Sequence, residues 1–261
     1  MQHVLLTKIF GGLYKAPLDP TKLCKVLDVG CGTGVWSMDF ARQHPDVEVI
    51  GLDFNESPNW ASAPPNCHFK VADFDHDATW RGLENQFDLV YSRLLVAGVR
   101  DWPRLVQRYQ DCLKPGGWVE NHEMLLPIRT RDGKTADGSA LQVFGSLGPE
   151  ALLKLGLDGG VAERLPAMER KAGFQRVGDE SYKMFIGPWS DAEEERELGK
   201  LGAINMKGVV RGFRPVMVKV LGWSEERAQS FFSELEREIG ECSNCFYLPF
   251  KVVYGQNPEY I

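Results

Sequence analysis

Residues 26–34 read Val-Leu-Asp-Val-Gly-Cys-Gly-Thr-Gly. Val26, Leu27 and Val29 form a short apolar run of the kind that makes a buried strand. Gly30, Gly32 and Gly34 then turn the chain into a helix that begins near Val35. Glycine passes through positive φ without a steric penalty and lets a ligand come close to the backbone. A strand ending in such a turn at a helix start is a nucleotide-binding site in doubly wound α/β folds.

The spacing separates the ligands. A nicotinamide or flavin fingerprint wants a third glycine after a two-residue gap, and Val35 stands there instead. A P-loop needs Gly-Lys-Ser/Thr, which is absent. Asp28 precedes the glycines, and a carboxylate there repels a pyrophosphate. It suits a ligand with an amine and a positive charge, as S-adenosylmethionine has. Val47, Val49, Ile50 and Leu52 make a second strand that Asp53 ends. An acidic residue roughly 20 positions past the glycine turn is placed to accept from ribose hydroxyls. Either piece alone reads equally as an ordinary turn after a strand.

At these residues the chain resembles the class I S-adenosylmethionine-dependent methyltransferases. Residues 26–34 look like their motif I and Val49–Asp53 like motif II; Phe87–Arg93 resembles the fourth strand and Leu113–Trp118 the turn into the fifth. Asp101-Trp102-Pro103, Pro115–Glu120, Val220–Trp223 and Pro249–Gly255 resemble the fungal LaeA-like (TAM-domain-type) methyltransferases over nearly the whole chain. The resemblance implies a Rossmann-like, mostly parallel sheet with helices on both faces and an antiparallel last strand. Inserted helices would form a substrate cap. Gln2-His3 and Gly11-Gly12-Leu13 resemble a family segment that usually follows a longer amino-terminal stretch. Three expectations follow from that: residues 1–16 cover the cofactor alone, the cofactor is held weakly, or the gene product is shortened.

Length and composition fit one domain over 1–261, with a cofactor-binding half at about 21–123 and an acceptor-side elaboration at about 124–160 and 187–245. Hydrophobic residues make up 43% of the chain, enough for a full core. The net charge of −6 argues against a nucleic-acid surface. No apolar run reaches the length of a membrane span, and the first ten residues make a poor signal peptide. The expected location is therefore the cytoplasm, or the nucleus for a regulator. Most of the six cysteines read as small buried residues in a reducing compartment. Cys242-Ser-Asn-Cys245 has no partner ligands at metal spacing.

Strand–helix alternation carries the chain to Glu123, which implies a parallel sheet. Expected strands are 47–53, 67–72, 87–92 and 118–123, with helices over 35–43 and 102–113. Beyond them, a helical stretch covers 140–155 and a helix 162–172. A strand covers 174–177, and 182–186 continues or follows it. Three helical segments fill 191–240, separated by Gly202–Gly208 and Gly222–Trp223, and 246–254 closes the chain as a strand.

Ligands in such sheets bind beyond the carboxyl ends of the strands. Those ends present Gly30, Cys31, Gly32 and Gly34; Asp53, Phe54 and Asn55; Asp73 and Phe74; Ser92 and Arg93; and Asn121, His122 and Glu123. The glycine backbone would pass the methionine part of the cofactor and Asp53 take the ribose. Phe54 and Phe74 would flank the adenine, or pack in the core. Asp73 would accept from the adenine amino group. Arg93 would bind an acidic substrate or the cofactor carboxylate, or cap a helix.

Methyl transfer is a displacement at a sulfonium, so the protein mainly positions the nucleophile. A hydroxyl acceptor also needs a base, and His122 is the first candidate and Glu123 the second. Strand neighbours point to opposite faces, so one of the two is expected to enter the pocket. No metal is expected, because Asp73, Asp75 and Asp77 fall on the adenine side. Phe144, Leu147, Leu152, Leu153, Trp189, Met206, Phe213 and Met217 suit a hydrophobic acceptor, and each reads equally as helix packing. The leading expectation is methyl transfer to a small organic molecule in fungal specialised metabolism. The alternatives are a LaeA-like regulator acting through protein complexes, and a methyltransferase fold used for a non-methylating reaction.

Overall fold

The computed structural model describes residues 1–131, 138–241 and 245–259. Cys242 of the Cys-x-x-Cys pair lies outside them. The strands are β1 (Lys25–Val29), β2 (Glu48–Asp53), β3 (Cys67–Val71), β4 (Phe87–Arg93), β5 (Leu113–Met124), β6 (Arg129–Thr130), β7 (Gln175–Ile186) and β8 (Phe246–Gln256). They form one sheet in the order β3-β2-β1-β4-β5-β8-β6, with β7 also paired to β8. β1 pairs in parallel with β2 and β4, β2 with β3, and β4 with β5. The last strand is antiparallel, as its pairing with β6 shows. The strand order reverses between β1 and β4, which opens a crevice at their carboxyl ends.

The helices are α1 (Gln2–Phe10), α2 (Val35–Gln43), α3 (Asp77–Trp80), α4 (Trp102–Cys112), α5 (Ala140–Lys154), α6 (Val161–Ala172), α7 (Glu193–Lys219) and α8 (Glu225–Glu241). Asp101 caps α4 by accepting from the Arg104 amide at 3.0 Å, and Pro103 opens its first turn. Leu105, Val106, Tyr109 and Cys112 give α4 its buried face.

The chain divides into two compact units. One comprises Gly12–Glu123, Glu163–Glu180 and Lys251–Ile261. Its core holds Val26, Trp36, Met38, Phe40, Val49, Leu89, Tyr91 and Trp118, with Leu13 and Ala16 of the amino-terminal segment packed among them. The other comprises Met1–Gly11, Met124–Ala162 and Ser181–Phe250. There Phe144 meets Phe213 and Phe232 edge-on at 5.4 and 6.4 Å, and Phe10 meets Tyr182 and Phe250.

Of the two alternatives for 182–186, continuation holds: it forms one strand with 175–177, β7. Two details differ from the sequence reading. Cys24 is exposed, although Cys67 and Cys112 are buried. The segment 191–240 holds two helices, because α7 continues through Gly202 and Gly208. The glycines of α7 answer to packing. A Cβ on Gly202 would lie 1.9 Å from the Phe185 carbonyl oxygen, and one on Gly199 would lie 2.1 Å from that of Gly187. The Gly187 amide donates to the Gly199 carbonyl at 3.0 Å, so strand end and helix touch backbone to backbone.

Two substitutions in α7 should therefore act in opposite directions. Gly202→Ala should lower stability by about 1–3 kcal/mol through overpacking. Gly208→Ala, whose Cβ meets nothing within 4 Å, should raise it by about 0.5–1 kcal/mol. Thermal melts of the two variants check this, and equal shifts would refute the close-approach account.

Candidate functional site

The turn after β1 hangs from the end of β2. The amides of Gly30 and Cys31 both donate to the Leu52 carbonyl, at 2.8 and 2.9 Å. The Gly32 amide donates to Asp53 Oδ2 at 2.7 Å, and the Asn55 amide to Asp53 Oδ1 at 3.0 Å. The three glycines are glycine for different reasons. All have φ between +54° and +75°. A Cβ on Gly30 would meet Leu95 Cδ2 at 2.2 Å, and one on Gly34 would meet the Phe69 ring at 2.5 Å. A Cβ on Gly32 would meet nothing within 4 Å. Gly32 is the open point of the turn, where a ligand can approach bare backbone.

The ends of the neighbouring strands carry groups with some exposure. Phe54 is 62% exposed at the tip of β2, an apolar ring facing solvent beside Asp53. Trp60 donates its indole N–H to the Gly32 carbonyl at 3.1 Å and stacks on Phe69 with ring centroids 4.9 Å apart. The loop Asp73–Asp77 is held from α4. Arg108 donates to the Phe74 carbonyl and to Asp77, and Arg104 pairs with Asp77 at 2.6 Å. Asp73 Oδ1 accepts from the Asp75 amide at 2.9 Å. Phe74 is half-buried, so its ring is partly available.

Asp28 and Ser92 sit deeper than the sequence suggests. Asp28 is 2% exposed and accepts from the Ser37 hydroxyl at 2.5 Å, which ties β1 to α2. Burial pushes the Asp28 carboxyl up to about 7, against the pull of Ser37 and Arg93. Ser92 is fully buried and donates to Asn121 Oδ1 at 2.7 Å. The Cys31 thiol is pushed up by burial next to Asp28 and Asp53. Arg93 carries the positive charge that acts on Asp28, Tyr91 and His122.

Strand β5 carries four consecutive buried polar residues, Glu120, Asn121, His122 and Glu123. Burial of polar groups is costly without partners, and strand alternation sorts them into two sets. On one side, Glu120 accepts from the amides of Lys15 (2.8 Å) and Ala16 (2.5 Å) and from His122 Nε2–H (2.5 Å). With Nε2–H donating, His122 Nδ1 faces the Tyr91 hydroxyl at 3.3 Å as an acceptor. Tyr91 stacks on Trp36 at 3.7 Å, and Trp36 donates to the Leu13 carbonyl at 2.9 Å. Burial lowers the pKa of His122, with Glu120 opposing. On the other side, Asn121 donates to Glu169 at 2.9 Å, and Glu123 accepts from the amides of Leu95 (2.6 Å) and Val96 (3.2 Å). Burial pushes the Glu123 and Glu169 carboxyls up to about 8. His122 and Glu123 thus point to opposite sides of the strand, both fully buried and with different partners.

Glu120, Trp36, Ser37 and Trp60 were not singled out from sequence. The alternation Glu120/His122 against Asn121/Glu123 was the available signal. Among the residues considered for an acceptor, Phe144, Met206 and Met217 form part of the core of their unit, whereas Leu153 is 76% exposed. Among the described residues, no group of three or more His, Cys, Asp or Glu side chains is placed to hold a metal, and no helix is long and apolar enough to cross a membrane.

A family model described as a methyltransferase domain matches residues 5–146. The chain is 29% identical to methyltransferase pytC of Aspergillus terreus, covering 99% of this chain and 79% of that protein. It is also 29% identical to the secondary metabolism regulator laeA of Aspergillus fumigatus, over 90% of this chain and 63% of that protein. Among solved structures, a phosphoethanolamine N-methyltransferase 2 of Haemonchus contortus in complex with S-adenosyl-L-methionine superposes with a TM-score of 0.56 at 15% identity. The match covers 99% of this chain and 52% of that one, a likeness of fold.

The raised carboxyls make the stability pH-dependent. Asp28, Glu123 and Glu169 hold their protons more tightly folded (about 7, 8 and 8) than unfolded, where carboxyls titrate near pH 4. The stability those protons contribute is full below about pH 4 and is lost as pH rises through 7 to 8. The ligand-free protein should therefore melt at a lower temperature at pH 9 than at pH 6, and Glu169→Gln should shrink the difference. A melting temperature that rises over this range would contradict the assignment.

Proposed function

The chain belongs to the methyltransferase-domain family, and on that premise we propose that it methylates a small organic acceptor in fungal specialised metabolism. It is an S-adenosylmethionine-dependent methyltransferase. The cofactor supplies an electrophilic methyl group on a sulfonium. The observation that carries the binding site is the open face of Gly32, whose amide is fixed by Asp53 and whose carbonyl is fixed by Trp60.

In this reading the backbone of Gly30, Cys31, Gly32 and Gly34 lines the methionine part of the cofactor. Asp53 keeps acceptor capacity for ribose hydroxyls beyond its two amide bonds. Asn55 adds a polar group beside it, and Phe54 and Phe74 flank the adenine. Asp73 accepts from the adenine amino group. Asp28 and Ser92 act from below, holding the strand ends in register, and Arg93 sets the local field.

For a hydroxyl acceptor the base is His122, working through Nδ1. Glu120 behind Nε2 fixes the tautomer that leaves Nδ1 basic, the role a carboxylate plays behind a general-base histidine. The Tyr91 hydroxyl stands at Nδ1 and would have to yield to the acceptor or pass its proton. Glu123 is the second candidate, and its two amide bonds make it the weaker one.

The relatives favour one competing reading, since laeA of Aspergillus fumigatus is named a regulator of secondary metabolism. Incubation with methyl-labelled cofactor and a fungal extract separates the two. We expect label in the small-molecule fraction, and label confined to protein would overturn the small-acceptor reading. Asp53→Ala should weaken S-adenosylhomocysteine binding by about 1.5–3 kcal/mol in calorimetry; equal affinity would remove the ribose assignment. With a labelled product in hand, His122→Gln should lower turnover roughly 10²–10⁴-fold with cofactor affinity kept. A small effect would point to an acceptor that needs no base.

A further inference from the structure

The chain leaves β4 through a turn whose backbone is strained. Leu94, a γ-branched residue, has φ of +61°, in the left-handed region that L side chains avoid at a cost of about 1–2 kcal/mol. Such a conformation persists only where its surroundings over-determine it. Three bonds do so here. The Leu94 amide donates to the His122 carbonyl at 2.9 Å. The Leu95 and Val96 amides donate to the two oxygens of Glu123. The Leu95 carbonyl then accepts from Gly98 at 2.8 Å and Val99 at 3.2 Å, which closes the turn.

The product of this arrangement is the position of one side chain. Leu95 is buried and lies directly against Gly30, so closely that a Cβ there would come within 2.2 Å of it. Gly30 is the first glycine of the turn that lines the methionine part of the cofactor. An acidic side chain that is fully buried and grips two successive amides is a rigid clamp, since loss of one acceptor leaves a buried donor unsatisfied.

We propose that Glu123 is a positioning residue that acts through Leu95: it clamps the turn after β4 so that the Leu95 side chain braces Gly30 in its cofactor-binding conformation. This rests on the reading of the glycine turn as the cofactor site. It assigns the second acidic residue of β5 a task distinct from proton removal. A base at this position would leave cofactor affinity untouched, whereas a clamp alters it.

The test is S-adenosylhomocysteine calorimetry on wild type, Glu123→Gln, Leu95→Ala and the double variant. Binding by the wild type checks the site itself. Each single variant should weaken binding about fivefold, and the double variant by little more than either, because both remove the same brace. Leu95→Met, which keeps the volume, should restore wild-type affinity. Wild-type binding together with unchanged affinity in Leu95→Ala overturns the proposal and leaves the site standing. So does full additivity in the double variant. Leu95→Ala leaves Glu123 and both amides in place, so it carries the test alone if Glu123→Gln fails to fold.

Discussion

Three successive amides after β1 hang from the end of β2, two on the Leu52 carbonyl and one on the Asp53 carboxylate. The rest of the site depends on this suspension. It ties the two strands together at the crevice, and the turn it holds passes through positive φ at Gly30, Gly32 and Gly34. It also orients Asp53, whose Oδ2 accepts from Gly32 while Oδ1 accepts from Asn55. The flanking glycines are then filled from the protein side by Leu95 and Phe69, and the middle one stays open. A turn with this shape binds by exposing backbone, so its chemistry resides in geometry more than in side chains.

The four buried polar residues of β5 show how one strand serves two tasks. Its Glu120–His122 side reaches the segment around Leu13–Ala16 and the Tyr91–Trp36 stack. Its Asn121–Glu123 side reaches α6 and the turn after β4. A parallel strand buried on both faces normally reads as a continuous apolar run. Here each polar side chain has a partner, so the usual penalty is offset and the strand becomes a cross-brace under the crevice.

Much of this was legible in the sequence, because the signals are local. The apolar run, the glycine spacing and Asp53 are contained in 28 consecutive positions, 26–53. β4, α2 and α4 follow from period and caps within a dozen residues. What stayed hidden is long-range. Glu120 meets Lys15 across 105 positions and Trp36 meets Leu13 across 23, and nothing in a single sequence records such pairings. Gly202 and Gly208 look alike as text and differ only in whether the Phe185 carbonyl stands beside them. The burial of Asp28 and Ser92 under the turn likewise depends on α2 and on β5, which the strand-end rule does not weigh.

The central claim is that the cofactor lies on the open side of Gly32. The most direct measurement is an amide nitrogen–proton correlation spectrum recorded during titration with S-adenosylhomocysteine. The account predicts the largest shifts at Gly30–Gly34 and at Phe54 and Asn55, with amides of α8 unmoved. Shifts that leave Gly32 and Asn55 in place while others move would contradict it.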